Sequence, residues 1–236
     1  MKNGKHTTLY RATAVLLALV LLAGLLVGCE SVKQPATENP PVYTPAVTET
    51  AAPQDSSPYI EIAGEQVRSD VTSYKLSGRK LGNEGIDLEQ LASLAELEHL
   101  TLFSCGLENI APLSLLTNLK SLYLPFNEIV DVSPLSQLTN LKTLDLDNNQ
   151  ITDISALAAL TNLKTLILQK NQITDISVLA LLTNMYSLDL SYNLLDDVSA
   201  LHSLNGLEWL NLSHNPLSEE QISELKAALP NCKITF

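Results

Sequence analysis

Residues 141–162, LKTLDLDNNQITDISALAALTN, contain one complete copy of the pattern that decides the fold. The first half alternates apolar and polar residues, as in a short β-strand with one buried face. The second half repeats isoleucine or leucine every third residue, which favours 3₁₀ or irregular turns that return the chain. A segment this short cannot bury its own apolar face, so it requires similar neighbours on both sides.

Such neighbours exist, because the pattern occurs six times in succession at a period of 22 residues. The first three apolar sites of the six units hold seventeen leucines and one methionine, far more than 45% apolar composition would give by chance. Stacked units of this kind align their strands in parallel at about 4.8 Å per unit. We therefore predict an α/β-type solenoid: a right-handed curved stack with a parallel sheet on its concave side and turns on its convex side.

The shared frame, LxxLxLxxNxIxxIxxLxxL, resembles the leucine-rich-repeat signature over about residues 71–236. The repeat length and the tail NxIxDIxxLxxLTN are similar to the internalin-type subfamily of bacterial surface proteins. The resemblance implies the leucine-rich-repeat fold and adhesion to proteins, but no particular ligand. The chain shows no cell-wall sorting motif and no room for an immunoglobulin-like domain after the repeats, so we do not expect an invasion-type function.

Asparagine recurs at one position of the repeat, just after the strand. A buried amide at this position can satisfy backbone groups of the adjoining loop, and the stacked series would form a ladder. Cys105 takes this position in the first regular unit. The predicted ladder residues are Asn127, Asn149, Asn171, Asn193 and Asn215.

The alternating oxygen-bearing residues Asp145, Asp147 and Asn149 also resemble the start of an EF-hand calcium loop. Such a loop requires Gly at its sixth position and Glu at its twelfth, but this chain has Gln150 and Ala156. We therefore assign the alternation to a strand and expect no metal site.

Both ends of the repeat array have the features of caps. Residues 59–67 predict a hairpin, and residues 71–96 an irregular first unit. At the other end, Ser218 and Gln221 have the spacing of a capping box and predict a C-terminal capping helix. Cys105 and Cys232 both fall at inward positions about 29 Å apart along the stack, so we expect buried thiols and no disulfide.

The N-terminus has the pattern of an export signal. A basic start is followed by an apolar run from Ala12 to Val27, which is short for a spanning helix. The run ends in Leu26-Val27-Gly28-Cys29, which resembles the lipobox of bacterial lipoproteins. This resemblance implies cleavage before Cys29, acylation of its thiol and attachment to the extracytoplasmic face of the cell membrane.

The sequence therefore predicts five segments, separated at changes of composition and period. They are a signal peptide (1–28), a lipidated cysteine with a disordered Pro/Thr-rich tether (29–58), an N-terminal cap (59–96), the repeats (97–217) and a C-terminal cap (218–236).

Catalysis is not expected, because catalytic groups must converge and this chain disperses them. His99 and His214 lie five repeats apart, and His202 falls on the convex side. No metal-ligand cluster, phosphate-binding glycine loop or nucleophile motif is present in the sequence, so we predict neither enzyme activity nor a cofactor. The net charge of −12 argues against nucleic acid as a partner.

The residues between the strand leucines point outward and form the concave face. Exposed aromatic side chains there have the composition of protein-binding hot spots, although β-propensity alone could also place them on a solvated sheet. The candidate contact residues are Phe103, Tyr123, Phe126, Asp145, Asp147, Ile167, Asp189, Tyr192 and Trp209.

These observations predict a monomeric, membrane-anchored, extracytoplasmic module that binds a protein partner through its concave face. The acidic residues of that face indicate a partner with a basic or mixed-charge patch. Two alternatives stay open at this point. One is an envelope assembly or scaffold factor that binds the cell's own proteins, and the other is a glycan-binding module.

Overall fold

The structure, a computed structural model, describes residues 58–62, 64–78 and 88–236. The predicted export signal and Cys29 lie outside the described residues, as does the predicted tether up to residue 57. The strands are β1 (Tyr59–Ile62), β2 (Glu65–Arg68), β3 (Ser73–Ser77), β4 (His99–Phe103), β5 (Ser121–Tyr123), β6 (Thr143–Asp145), β7 (Thr165–Ile167), β8 (Ser187–Asp189), β9 (Trp209–Asn211) and β10 (Lys233–Thr235).

Strands β3 to β10 form one parallel sheet in which each strand pairs with its neighbours in chain order. From β4 to β9 the paired residues of neighbouring strands are 22 positions apart, so that Leu144 lies opposite Leu122 on one side and Leu166 on the other. The sequence period is thus also the register of the sheet, which confirms the predicted solenoid.

The convex side consists of short 3₁₀ segments, as predicted. They are η1 (Ala111–Leu115), η2 (Ser133–Gln137), η3 (Ser155–Ala159), η4 (Ser177–Leu181) and η5 (Ser199–Ser203). In η2 to η5 the first N–H donates to an aspartate two residues earlier, for example Ser155 N to Asp153 Oδ1 at 2.7 Å. This bond starts the turn at the same place in each repeat.

Between the sheet and the 3₁₀ segments runs one continuous core of leucine and isoleucine. Each repeat contributes two strand leucines, such as Leu144 and Leu146, and a turn leucine, Leu157, all with 0% exposure. Complete burial of such a side chain contributes about 1.5–3 kcal/mol. Since each core layer contacts only the layers next to it, contacts between neighbouring repeats stabilise the stack.

The predicted asparagine ladder is present, and each amide bonds to two repeats. Asn171 Nδ2 donates to the carbonyls of Leu146, Leu168 and Gln169 at 3.0, 3.1 and 3.3 Å, and its Oδ1 accepts from Ile151 N at 3.0 Å. Asn127, Asn149, Asn193 and Asn215 make the equivalent contacts. The ladder therefore joins neighbouring repeats where the strand hydrogen bonds end.

A second ladder lies on the side where the chain approaches the strands. Asn140 Nδ2 donates to Thr117 O at 2.9 Å, 23 residues earlier. Asn118, Asn162 and Asn184 repeat this bond. This second ladder is not among the features predicted from the sequence, although the recurring Leu-Thr-Asn triplet is a signal for it.

Both ends close as the sequence indicated. β1 and β2 pair as an antiparallel hairpin, and helix α1 (Leu88–Ala92) follows in the irregular first unit. Helix α2 (Glu219–Ala228) begins with the predicted capping box, in which Ser218 Oγ accepts from Gln221 N and Gln221 Oε1 accepts from Ser218 N. Strand β10 then pairs with β9 and completes the sheet.

The two described cysteines differ from each other. Cys105 is fully buried, as predicted. The prediction of a buried thiol is wrong for Cys232, which is half-buried. The reason is its place beside the last strand, where no further repeat covers it.

Candidate functional site

The concave face, defined here by the outward residues of β4 to β9 and of the turns that follow them, carries all the predicted contact residues. The structure sorts them by exposure. Phe103, Phe126 and Tyr192 are 40%, 42% and 45% exposed. The half-buried ones are Tyr123, Asp145, Asp147, Ile167 and Trp209.

Asp189 requires a correction, since it lies on this face but is only 8% exposed. Its Oδ1 accepts from Ser191 N at 2.9 Å and Ser191 Oγ at 2.6 Å, and its Oδ2 accepts from Asn211 Nδ2 at 3.2 Å. The expectation that Asp189 is a free surface carboxylate is therefore wrong. It holds the turn after β8 and links that turn to the next repeat.

The turn after each strand contains a residue with left-handed backbone conformation. In every regular repeat this residue stands directly before the ladder position, and none is glycine. We call this series the left-handed column. It consists of Ser104, Phe126, Asn148, Lys170, Tyr192 and His214, with φ between 52° and 61°.

Three members of the left-handed column are aromatic, and they form two exposed clusters. Phe126 packs against Phe103 with ring centroids 5.2 Å apart. Three repeats further on, the Tyr192 ring stacks on His214 at 4.0 Å, and Lys170 Nζ lies 5.9 Å from the Tyr192 centroid. At about 4.8 Å per repeat, Phe126 and Tyr192 are about 14 Å apart.

Lys170 and His214 are not among the contact residues predicted from the sequence. The signal that could have found them is their spacing: each lies a whole number of 22-residue periods from Phe126 and Tyr192. The contacts themselves could not be read from the period, because they depend on which side chains lean toward the neighbouring rung.

Two carboxylates lie between the aromatic clusters. Burial raises the pKa of Asp145 to about 6; the N–H of Asp147 opposes the shift, and the charges of Asp147 and Asp189 reinforce it. Burial also raises the pKa of Asp147 to about 6, with Lys170 opposing the shift and Asp189 reinforcing it. Among the described residues, Asp147 Oδ1 is shielded from solvent and accepts no hydrogen bond.

These pKa values predict how stability depends on pH. Because the folded-state pKa of Asp145 and Asp147 exceeds the ordinary value of 3.8, the folded chain binds more protons than the unfolded chain between about pH 4 and 6. Their contribution to stability is complete below that window and is lost as pH rises through 6. At about pH 8 we expect the free energy of unfolding of Asp145→Asn to exceed that of wild type by roughly 1–2 kcal/mol. We also expect it to fall less than that of wild type as pH rises from about 4 to 8.

The measurement is urea unfolding from about pH 4 to 8, and the matched control is Asp153→Asn. Hydrogen bonds from Ser155 hold the pKa of Asp153 below its ordinary value. Neutralising Asp153 should therefore remove a contribution that is present at high pH and lost as pH falls. Equal pH profiles for wild type and Asp145→Asn would contradict the prediction.

The site has no geometry for metal chemistry within the described residues, where no three His, Cys, Asp or Glu side chains come together to hold an ion. Within the same residues, no helix is long and apolar enough to cross a membrane. What the concave face does offer is exposed aromatic rings on a parallel sheet, and aromatic residues are enriched in protein-contact surfaces.

Comparison with known proteins identifies the repeats directly. Two family profiles match: "Leucine Rich repeats (2 copies)" over residues 117–159 and "Leucine rich repeat" over residues 161–217. No curated protein matches this chain.

Solved structures similar to this chain include two internalins of Listeria monocytogenes. Internalin C2 has 30% identity and a TM-score of 0.61, over 73% of this chain and 85% of the other. The internalin inlF has 31% identity and a TM-score of 0.57, over 66% of this chain and 53% of the other, so this chain spans about half of that protein.

The leucine-rich-repeat protein LIC12759 of Leptospira interrogans is also similar, with 26% identity and a TM-score of 0.54 over 63% of this chain and 45% of the other. The match to internalin C2 extends over most of both chains. The likeness therefore concerns the repeat array as a whole and not a single repeat.

Proposed function

Since this chain belongs to the internalin-type leucine-rich-repeat family of bacterial proteins, we propose that it is a membrane-anchored, extracytoplasmic module that binds a protein partner through its concave face. Leucine-rich-repeat proteins are typically interaction modules without enzymatic activity, and the dispersed polar groups of this chain agree with that. The rigid parallel sheet supplies a preorganised surface, which lowers the entropy lost on binding.

The observation that carries this proposal is the placement of aromatic residues in the left-handed column. A residue with a Cβ loses about 1–2 kcal/mol in this conformation, and asparagine, with its short polar side chain, tolerates it better. Asn148 has this tolerance, whereas Phe126 and Tyr192 do not, and these two residues are 42% and 45% exposed. The left-handed turn itself recurs in all six regular repeats and belongs to the repeat. An exposed aromatic ring at two of its positions supports a role in contact.

The carboxylates between the aromatic clusters support a partner with a basic patch. Burial raises the pKa of Asp145 and Asp147 to about 6, and Asp147 Oδ1 has no hydrogen-bond donor within the described residues. A Lys or Arg side chain from a partner would supply a donor and a positive charge. The aromatic rings on either side would exclude water from that pair and strengthen it.

The membrane anchor is the second part of the proposal. It rests on the lipobox-like residues Leu26-Val27-Gly28-Cys29 after a basic and apolar start. Two or more acyl chains at Cys29 would hold the repeats at the extracytoplasmic surface. Replacing Cys29 with serine is the test: the wild-type chain should incorporate a palmitate analogue and sediment with membranes, and Cys29→Ser should do neither. Equal membrane association of the two would reject the anchor.

The concave face is tested by crosslinking the full-length chain in cells. A photo-reactive amino acid is placed at Phe126 or Tyr192, and as a matched control at Leu181, which is 58% exposed at the convex end of η4. We expect one protein to be captured from the two concave positions and not from Leu181. Capture from Leu181 alone would exclude the concave face.

The same experiment separates the two sources of a partner. A product formed in pure culture identifies one of the cell's own proteins, and a product formed only with added host or neighbouring cells identifies an adhesion target.

A further inference from the structure

Three lysines form a column on the side where the chain enters the strands. Lys120, Lys142 and Lys164 directly precede β5, β6 and β7, and Lys142 N and Lys164 N each donate to the carbonyl of the preceding lysine, at 2.8 and 2.9 Å. Lys120 Nζ pairs with Glu98 at 2.5 Å. Lys142 and Lys164 are exposed and form no ion pair within the described residues. We call these three residues the lysine column.

Four aspartates form a column of the opposite sign. Asp131, Asp153, Asp175 and Asp197 are all exposed. Each accepts from a serine N–H two residues on, at 2.7 or 2.8 Å. Hydrogen bonds from Ser155 and Ser199 keep the pKa of Asp153 and Asp197 low. These four residues, the aspartate column, are therefore carboxylates held in fixed orientations.

The two columns lie on opposite flanks of the solenoid. In each repeat that has both, the aspartate follows the lysine by eleven residues, as Asp153 follows Lys142. The lysine stands just before the strand of its repeat, and the aspartate just before the 3₁₀ segment on the opposite side of the core, so the two columns border different flanks. The columns of one copy cannot meet each other, but those of two copies lying side by side can.

Successive lysines and successive aspartates have the same spacing, because each repeat contributes one residue to each column. Four aspartates leave three gaps between them. The lysine column supplies Lys142 and Lys164 without an ion pair, and Lys120, which is paired with Glu98 and would have to exchange that partner. Each column also borders a shallow groove. One, of about 370 Å³, is lined in part by Lys120 and Lys142, and the other, of about 230 Å³, lies beside Asp175 and Asp197.

We propose that the lysine column of one copy of this chain docks against the aspartate column of a second copy, with the solenoids parallel and each lysine between two successive aspartates. The contact joins two different flanks, so it leaves a free flank at each end and builds an open row. Exposed ion pairs are individually weak, so the row should be salt-sensitive and favoured at high local concentration. This departs from the monomer expected from the sequence.

The test uses the full-length chain isolated from producing bacterial cells, half of it labelled with ¹⁵N. A carbodiimide joins lysine amines directly to carboxylates. We expect mixed-isotope peptides that link Lys142 or Lys164 to the aspartate column, with a yield at least about fivefold lower at 500 mM than at 50 mM salt. Absence of such inter-copy peptides at low salt would overturn the proposal, as would links that survive high salt unchanged.

Charge variants show whether the columns themselves make the contact. Because glutamate has no amine to couple, association of the variants is measured by light scattering at 50 mM salt, where the double variant Lys142→Glu/Lys164→Glu should lose it about as completely as wild type does at high salt. Combining it in one chain with Asp153→Lys/Asp175→Lys reverses the charge at two positions of each column and should restore association. Lys170→Glu reverses one lysine of the left-handed column and should leave association unchanged. A loss with Lys170→Glu equal to that of the double variant would overturn the proposal, since general charge would then explain the effect.

Discussion

Asn171→Ala is expected to lower the free energy of unfolding by about 1–3 kcal/mol, although it deletes one polar side chain. The amide makes four hydrogen bonds, to the carbonyls of Leu146, Leu168 and Gln169 and from the N–H of Ile151. Alanine would leave Ile151 N without an acceptor, whereas each of the three carbonyls keeps one other donor. Asn171 is only 8% exposed, so water cannot readily replace the amide. Each orphaned buried group costs about 1–3 kcal/mol.

Urea unfolding and amide exchange measure this effect. Gln172→Ala is the control, because Gln172 is the exposed neighbour of Asn171 and should change stability by less than about 0.5 kcal/mol. Exchange at the Ile151 amide should accelerate in Asn171→Ala, since its acceptor is gone. A loss of less than about 1 kcal/mol would show that the ladder is not required where repeats meet.

Phe126→Asn and Tyr192→Asn are expected to weaken partner binding by about 30-fold or more each, the loss typical of a hot-spot residue. The same changes should alter stability by no more than about 1 kcal/mol. Asparagine relieves the left-handed strain at φ 58° and 56°, which offsets the lost ring contacts with Phe103 and His214. Binding and stability should thus respond separately at these two positions.

The measurements are the dissociation constant for the protein captured by crosslinking and urea unfolding of the same variants. Position 148 of the left-handed column is already an asparagine, so this repeat has no aromatic ring in the column. Asn148→Ser is therefore the control. It should leave affinity within about twofold of wild type. Unchanged affinity in both aromatic variants would remove the concave aromatic clusters from the proposed contact, while the fold assignment would stand.

The sequence alone determined the repeat and everything that the repeat copies. A period of 22 places each residue beside its equivalent in the next repeat. The position of Leu144 between Leu122 and Leu166 therefore followed from the pattern of one unit. The same pattern predicted the buried amide of Asn171 and the 3₁₀ segments. The capping box at Ser218 is a local hydrogen-bond pattern, so it could also be predicted from the sequence.

The tertiary structure alone decided the burial and side-chain contacts that differ from repeat to repeat. The period places Asp189 on the concave face, but only the contacts with Ser191 and Asn211 show that it is buried. Likewise, the stacking of Tyr192 on His214 depends on how each side chain leaves a left-handed turn. A repeat specifies where backbone atoms recur, whereas burial and side-chain contact depend on the non-repeating residues of neighbouring units.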